Sequence, residues 1–129
     1  MASIFTKIIQ GEIPCHKILE DDRFFAFLDI RPIKKGHTLV IPKKEVDYIF
    51  DIGEDLLSDI MNFSNKVARA LEKAVPCKRI GIMVAGLEVP HAHIHLIPMD
   101  SIGDLNFANA KPADNTELGE LSKLITSYL

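Results

Sequence analysis

No stretch of the 129-residue chain approaches the roughly 18 to 20 consecutive apolar residues that a membrane span needs, and the N-terminal segment carries no apolar run long enough for a signal-peptide core. A membrane role is therefore not expected, and the cytoplasm is the expected compartment. Cysteine is scarce as well: Cys15 and Cys77 are the only two, too few to staple a secreted scaffold and without metal-site spacing, so both read as reduced thiols. Positive charge is not in excess. The chain has 15 Lys and Arg against 18 Asp and Glu, a formal net charge of −3, which argues against a grip on polymeric nucleic acid. Repeats, low-complexity segments and long linkers are missing too, and the length suits one domain, residues 1–129, better than two. What is there is an ordinary globular composition, 47% hydrophobic and 26% charged, which excludes disorder as the main reading.

Ile4, Phe5, Ile8 and Ile9 are spaced for one face of a short helix over Ser3 to Gln10, stopped at Gly11. Pro14 forces an extended entry into two apolar segments, Cys15 to Glu20 and Phe24 to Ile30, which the polar Asp21-Asp22-Arg23 joins as an antiparallel hairpin. Phe24 to Leu28 is apolar on both faces and predicts a central strand. Pro32 and Gly36 bracket a basic loop, after which His37 to Ile41 predicts a third strand closed by Pro42. The longest element is an amphipathic helix over about Glu54 to Ala74, in which Leu56, Leu57, Ile60, Met61, Ser64, Val67, Ala68 and Leu71 recur at a period of about 3.6 residues. Arg79 to Ala85 and His91 to Ile97 predict two further strands. Asp114-x-x-Glu117 has the form of a capping box and opens a C-terminal helix over about 114–128. Paired strands, a helix, another hairpin and a last helix describe an α+β fold with an antiparallel sheet.

The segment Pro90-His91-Ala92-His93-Ile94-His95-Leu96-Ile97-Pro98 carries the chemistry. Side chains alternate along an extended chain, so His91, His93 and His95 share one face, and Ala92, Ile94 and Leu96 the other. Three readings of the imidazole face are open. It is a solvated polar face, although Thr, Lys or Glu would then serve equally well. It is a metal site, although at about 3.3 Å per residue the outer two histidines stand roughly 13 Å apart along the strand, so two adjacent ones would need a further donor such as Glu88, Asp100 or His37. Or it is a nucleophilic site, in which the neutral imidazole of His93 attacks phosphorus between two helpers and forms a P–N bond that water can cleave.

His91-Ala92-His93-Ile94-His95-Leu96-Ile97 resembles the signature of the histidine-triad (HIT) superfamily, three histidines alternating with apolar residues. Further stretches resemble its Hint-like branch in order: Ile4-Phe5-Thr6-Lys7-Ile8-Ile9, Gly11-Glu12-Ile13-Pro14, Ala26-Phe27-Leu28-Asp29-Ile30 and Gly36-His37-Thr38-Leu39-Val40-Ile41-Pro42. The resemblance covers about residues 3 to 98. It implies a five-stranded antiparallel sheet with one long central helix, a short N-terminal helix and a C-terminal helix, usually as a homodimer. It also implies a nucleotidyl hydrolase or transferase that cleaves at the α-phosphate of purine nucleotides: phosphoramidates, acyl adenylates or dinucleoside polyphosphates. By motif position, His93 is the nucleophile of a nucleotidyl-histidine intermediate, and His95 meets the phosphate or the leaving-group bridge. His91 and His37 form a network that sets the tautomer of His93. Asp29 holds the ribose hydroxyls, and Leu28, Ile30, Phe5, Ile8 and Leu39 make the base pocket.

The departures from the family pattern bear on function. Some relatives hold a structural zinc on a Cys-x-x-Cys with later His ligands; here Ser3 and Thr6 stand at the cysteine positions and Glu45 replaces a His, so neither metal nor another cofactor is expected. The segment Ala85 to Pro90 is short and lacks the Asn, Gln and Ser or Thr that contact the phosphate in relatives, with Glu88 as its one ionisable side chain. That loss leaves open a nucleotide-binding regulatory protein with little turnover, beside the metal-dependent alternative. His16 reads as an incidental strand residue, and Lys34, Lys35, Lys43 and Lys44 as a solvated surface. Ser101 to Lys111 either closes over the site or extends a subunit contact.

Overall fold

Phe24–Leu28 becomes β2, buried at all five positions, because apolar layers cover both of its faces. The structure, a computed structural model, describes residues 2–129. In chain order it contains α1 (Ile4–Ile9), β1 (Lys17–Glu20), β2, β3 (Thr38–Pro42), α2 (Glu54–Ala74), β4 (Arg79–Met83), β5 (Ile94–Met99) and α3 (Asn115–Thr126). Single 3-10 turns lie at Ile49–Asp51, Ile102–Asp104 and Phe107–Asn109. The five strands form one antiparallel sheet in the order β1-β2-β3-β5-β4. The fold is the α+β arrangement expected from the sequence. The long helix leads from β3 to β4, and β5 then returns between them, so its side chains meet those of both neighbours.

Alternation with period two sorts the strand residues into two layers. Phe24, Ala26, Leu28, Val40, Ile94 and Leu96 turn toward α2 and α3, where they meet Ile60, Phe63, Val67, Leu71 and Ile125. Phe25, Phe27, Leu39 and Ile41 turn the other way and are covered by Phe5 of α1. Burying each such side chain contributes about 1.5 to 3 kcal/mol, and the sheet gains from both sides. Acidic Glu54 and Asp55 sit in the first turn of α2, and Lys73 in its last, matching the helix dipole. Asp114 caps α3 by accepting from the Glu117 N–H at 3.1 Å.

The strand boundaries differ from the expected ones where functional residues begin. β5 starts at Ile94, so His91 and His93 precede it and lie outside the ladder. Their stretch of backbone bonds elsewhere: the His91 N–H donates to the Val89 carbonyl at 2.8 Å and the Ala92 N–H to the Val46 carbonyl at 2.7 Å. β3 starts at Thr38, one residue after His37, and β2 ends one residue before Asp29. Gly36, at φ +93, makes the turn that brings His37 under the sheet end; a Cβ there would stand 3.0 Å from Pro98 Cγ. Among the described residues no helix is long and apolar enough to cross a membrane.

Candidate active site

The alternation predicted for the triad holds although the strand is shorter. Ala92, Ile94 and Leu96 belong to the helix-side core, while His91, His93 and His95 are buried on the opposite side. The Phe5 ring packs edge-on against His93, with centroids 5.1 Å apart, and the next ring in the row is His95, 4.8 Å from His93. Phe107 closes the far end at 5.0 Å from His95.

Hydrogen-bond chemistry assigns a proton to each ring, because a backbone N–H can only donate and a carbonyl can only accept. His93 Nδ1 lies 2.7 Å from the His91 carbonyl, so it carries the proton and donates, leaving the lone pair of Nε2 free. His37 Nδ1 accepts from the Ile33 N–H at 3.0 Å, so the His37 proton is on Nε2. That Nε2–H donates to His95 Nδ1 at 2.9 Å, which leaves the proton of His95 on its own Nε2 as a donor for a ligand. His91 donates from Nε2 to the Pro42 carbonyl at 2.7 Å and accepts at Nδ1 from the Ser3 hydroxyl at 2.8 Å. In its neutral form each of the four rings thus takes one defined tautomer.

Burial reinforces these assignments. Desolvation, aided by the neighbouring His93, holds His37 down to about 4, and desolvation with His93 and His37 holds His95 down to about 3. Burial also lowers His91. Asp29 Oδ2 is 3.7 Å from His37 Nε2, but the neutral His37 gives its proton to the closer His95 instead of forming an ion pair. Asp29 Oδ1 accepts from the Arg31 N–H at 2.9 Å, and burial raises its carboxyl above the usual range. The exposed Glu88 stands near enough for its charge to push Asp29 up further.

The expected network is rearranged in one respect. The carbonyl of His91, not its ring, sets the tautomer of His93, and His37 acts on His95. The reason is spacing: side chains two residues apart on extended backbone point the same way, so the His93 ring can turn back to the carbonyl of His91 while the His91 ring is anchored beyond it.

Phe5, Ile8 and Leu39 meet in the apolar layer on the imidazole side, together with Phe25, Phe27 and Val89. Leu28 and Ile30 do not join them. Leu28, 1% exposed, is in phase with Phe24 and Ala26 and points into the helix-side core, and Ile30 lies past the strand end, 63% exposed. His16 is also outside the site and bonds through Nε2 to Asn115 at the start of α3, 2.8 Å away. Lys43 pairs with Glu20 at 2.7 Å, and Lys34 with Asp104 at 3.8 Å, on the surface. Ser101 to Lys111 folds back along the site, as the Phe107 contact and the Lys111 N–H bond to the Pro32 carbonyl (3.3 Å) require. Phe107 was not foreseeable, since its segment has no helical or strand period.

Two donor clusters bear on metal binding. Asp29, His37 and His95 offer ligand atoms within 4.8 Å of one another. The Ile33 N–H keeps a proton on His37 Nε2, however, so that nitrogen has no lone pair to give without breaking the bond or forming an imidazolate. In the second, Ser3 Oγ, Thr6 Oγ1, Glu45 and His91 Nδ1 come together, with separations from 2.6 to 3.5 Å. Zinc takes thiolate, imidazole or carboxylate; two of these donors are hydroxyls and the imidazole lone pair already accepts a proton, so the set does not fit zinc.

Residues 10–102 match the HIT domain family. A HIT-like protein of Methanocaldococcus jannaschii is 38% identical over 132 residues, spanning 95% of this chain and 97% of its own. An adenosine 5'-monophosphoramidase of Saccharomyces cerevisiae is 36% identical across 99% of this chain and 83% of its own. Among solved structures, a Hit-like protein of Bartonella henselae superposes with a TM-score of 0.87 at 34% identity, covering 98% of this chain and 96% of that one.

Proposed function

This chain belongs to the HIT family, and we propose that it is a nucleotidyl hydrolase that cleaves purine nucleotides at the α-phosphate through a covalent intermediate on His93. One observation carries the reading: the Nδ1–H of His93 is held by the His91 carbonyl at 2.7 Å, which leaves Nε2 as the nucleophile. Nε2 attacks the α-phosphorus of a phosphoramidate, acyl adenylate or dinucleoside polyphosphate, a P–N bond forms, and the leaving group departs. The ring becomes cationic in that step. Its Nδ1–H bond to the His91 carbonyl then becomes charge-assisted and stronger, so it favours the transition state over the ground state. His95 donates from Nε2 to the phosphate or the bridging atom. Water then attacks phosphorus and gives up a proton to solvent, the P–N bond breaks with its electron pair returning to His93, and the nucleoside monophosphate leaves. The kinship with an adenosine 5'-monophosphoramidase favours phosphoramidates as substrates.

Asp29, 3.7 Å from His37, takes the ribose hydroxyls, and the apolar layer of Phe5, Ile8 and Leu39 takes the base. The chain acts as one domain, in the cytoplasm, where the free thiols of Cys15 and Cys77 stay reduced. It works as a homodimer: β4 ends the sheet with an unpaired edge, and around it Ile82, Val84, Met61, Leu57, Tyr48 and Phe50 leave an exposed apolar face. Light scattering that reads one subunit's mass would remove the dimer from this proposal.

The test is to incubate the protein with adenosine phosphoramidate, an acyl adenylate and a dinucleoside polyphosphate, and to look for a nucleotidyl adduct by intact mass, with His93→Ala and His93→Gly as controls. Equal turnover in the variants overturns the assignment. A second reading, a nucleotide-binding protein with little turnover, is favoured by the loop Ala85 to Pro90, in which Leu87 is 96% exposed and Glu88 alone is ionisable. That protein would bind AMP and release no amine from the phosphoramidate.

A further inference from the structure

Four residues from three distant parts of the chain form a closed hydrogen-bonded knot behind the triad. Glu45 Oε1 accepts from the Ser3 N–H at 2.5 Å and from the Thr6 hydroxyl at 2.6 Å. Ser3 Oγ accepts from the Thr6 N–H at 3.1 Å, as the cap of α1, and gives its own proton to His91 Nδ1 at 2.8 Å. The competing acceptor for that proton, Thr6 Oγ1, is farther away at 3.3 Å. Because the Pro42 carbonyl requires a proton on His91 Nε2, Nδ1 is left to accept from Ser3, and both nitrogens of the fully buried His91 ring are anchored. The residue after Glu45 grips the neighbouring peptide too, since the Val46 carbonyl accepts from the Ala92 N–H at 2.7 Å.

We propose that Ser3 and Glu45 are positioning residues for the nucleophile: they fix the His91 peptide so that its carbonyl holds the Nδ1–H of His93 and keeps Nε2 bare. The chain of contacts runs from Glu45 through Ser3 to the His91 ring, and from the His91 carbonyl to His93. The same knot carries the N-terminus of α1 and with it Phe5, whose ring stands 5.1 Å from His93, so one device sets both the tautomer of the nucleophile and the wall beside it. Hydrogen bonds hold this cluster together, and Glu45 brings its charge, since the Ser3 N–H and Thr6 hydroxyl hold its carboxyl down to about 2.

The inference rests on the reading of His93 as nucleophile, but it can be measured without turnover. Long-range proton–nitrogen correlation spectra of the ¹⁵N-labelled protein report which nitrogen of each neutral imidazole carries the proton. The wild-type spectrum is expected to show His93 protonated on Nδ1. In Ser3→Ala the His93 population should shift toward the other tautomer, with kcat reduced by up to about 100-fold and KM little changed. Ser3→Thr, which restores the hydroxyl, should restore both. Glu45→Gln should move the spectrum in the same direction by less, and because Glu45 is exposed this variant serves if Ser3→Ala does not fold. A His93 spectrum that is the same in wild type, Ser3→Ala and Glu45→Gln overturns the proposal, even where melting temperature falls, since that pattern belongs to a purely structural knot. An absence of adduct and turnover in the wild type would instead defeat the reading of the function and leave the tautomer result standing.

Discussion

His37 Nε2 stands 2.9 Å from His95 Nδ1, and the direction of that bond is decided on the far side of the His37 ring, where the Ile33 N–H occupies Nδ1. A backbone amide in the loop before β3 thereby determines that His95 meets a ligand as a donor. Removing the ring removes that decision.

His37→Ala orphans two buried groups at once, the Ile33 N–H and His95 Nδ1, each costing about 1 to 3 kcal/mol. With His95 free to take the other tautomer, kcat is expected to fall about 10- to 100-fold. His37→Gln, whose amide can both donate and accept, should recover part of each loss. Urea unfolding and steady-state kinetics on the two variants test this; equal stability and turnover in His37→Ala would refute it.

Stability should fall in mild acid. His37 is held down to about 4 and His95 to about 3, both mainly by burial, against an ordinary value of 6.5. Below 6.5 the unfolded chain takes up protons that the native rings refuse, so the native state loses stability as pH drops toward 4, by at most about 1.4 kcal/mol per pH unit for each ring. Asp29, with its carboxyl raised by burial, works in the opposite sense, since the native state then holds a proton that the unfolded carboxylate has released. Urea midpoints between pH 7 and 5 should decline, and the slope should flatten in His95→Gln.

Asp29→Ala should reduce kcat/KM for a ribonucleotide about 10- to 100-fold, the worth of one or two hydrogen bonds to a charged group. A 2′,3′-dideoxy substrate should show little change. An equal loss on both substrates would mean that the carboxylate acts through His37, 3.7 Å away, instead of on the sugar.

Phe107→Ala should let water reach the His95 ring that Phe107 now covers from 5.0 Å. Since burial is the largest cause of the low His95 value, that value should rise toward 6.5 and the acid limb of kcat/KM should move to higher pH. Leaving groups should also be discriminated differently, because Phe107 lies at the end of the ring row farthest from Phe5. A pH–rate profile over two substrates with different leaving groups checks both expectations.

Much of this molecule was legible in the residues alone, because periodicity is a local property. The 3.6-residue stripe of Leu56 to Leu71 predicts α2. The alternation from His91 to Leu96 predicts which side chains join the helix-side core and which form the imidazole side, and it holds even where the backbone leaves the ladder. Local pattern also misled at Leu28 and Ile30: adjacency to Asp29 suggested a shared pocket, whereas the strand's own phase sends Leu28 to the opposite layer.

Sequence by itself determined that three imidazoles line one side of one short segment. Only the tertiary structure decided which nitrogen of each ring is free. That choice depends on partners 88 residues away for Ser3 and His91, 58 for His37 and His95, and 49 for His91 and Pro42. A hydrogen bond is made or lost within a few tenths of an ångström. Spacing along the chain carries no such distance, and the packing of α1, the β3 loop and the triad segment against one another supplies it.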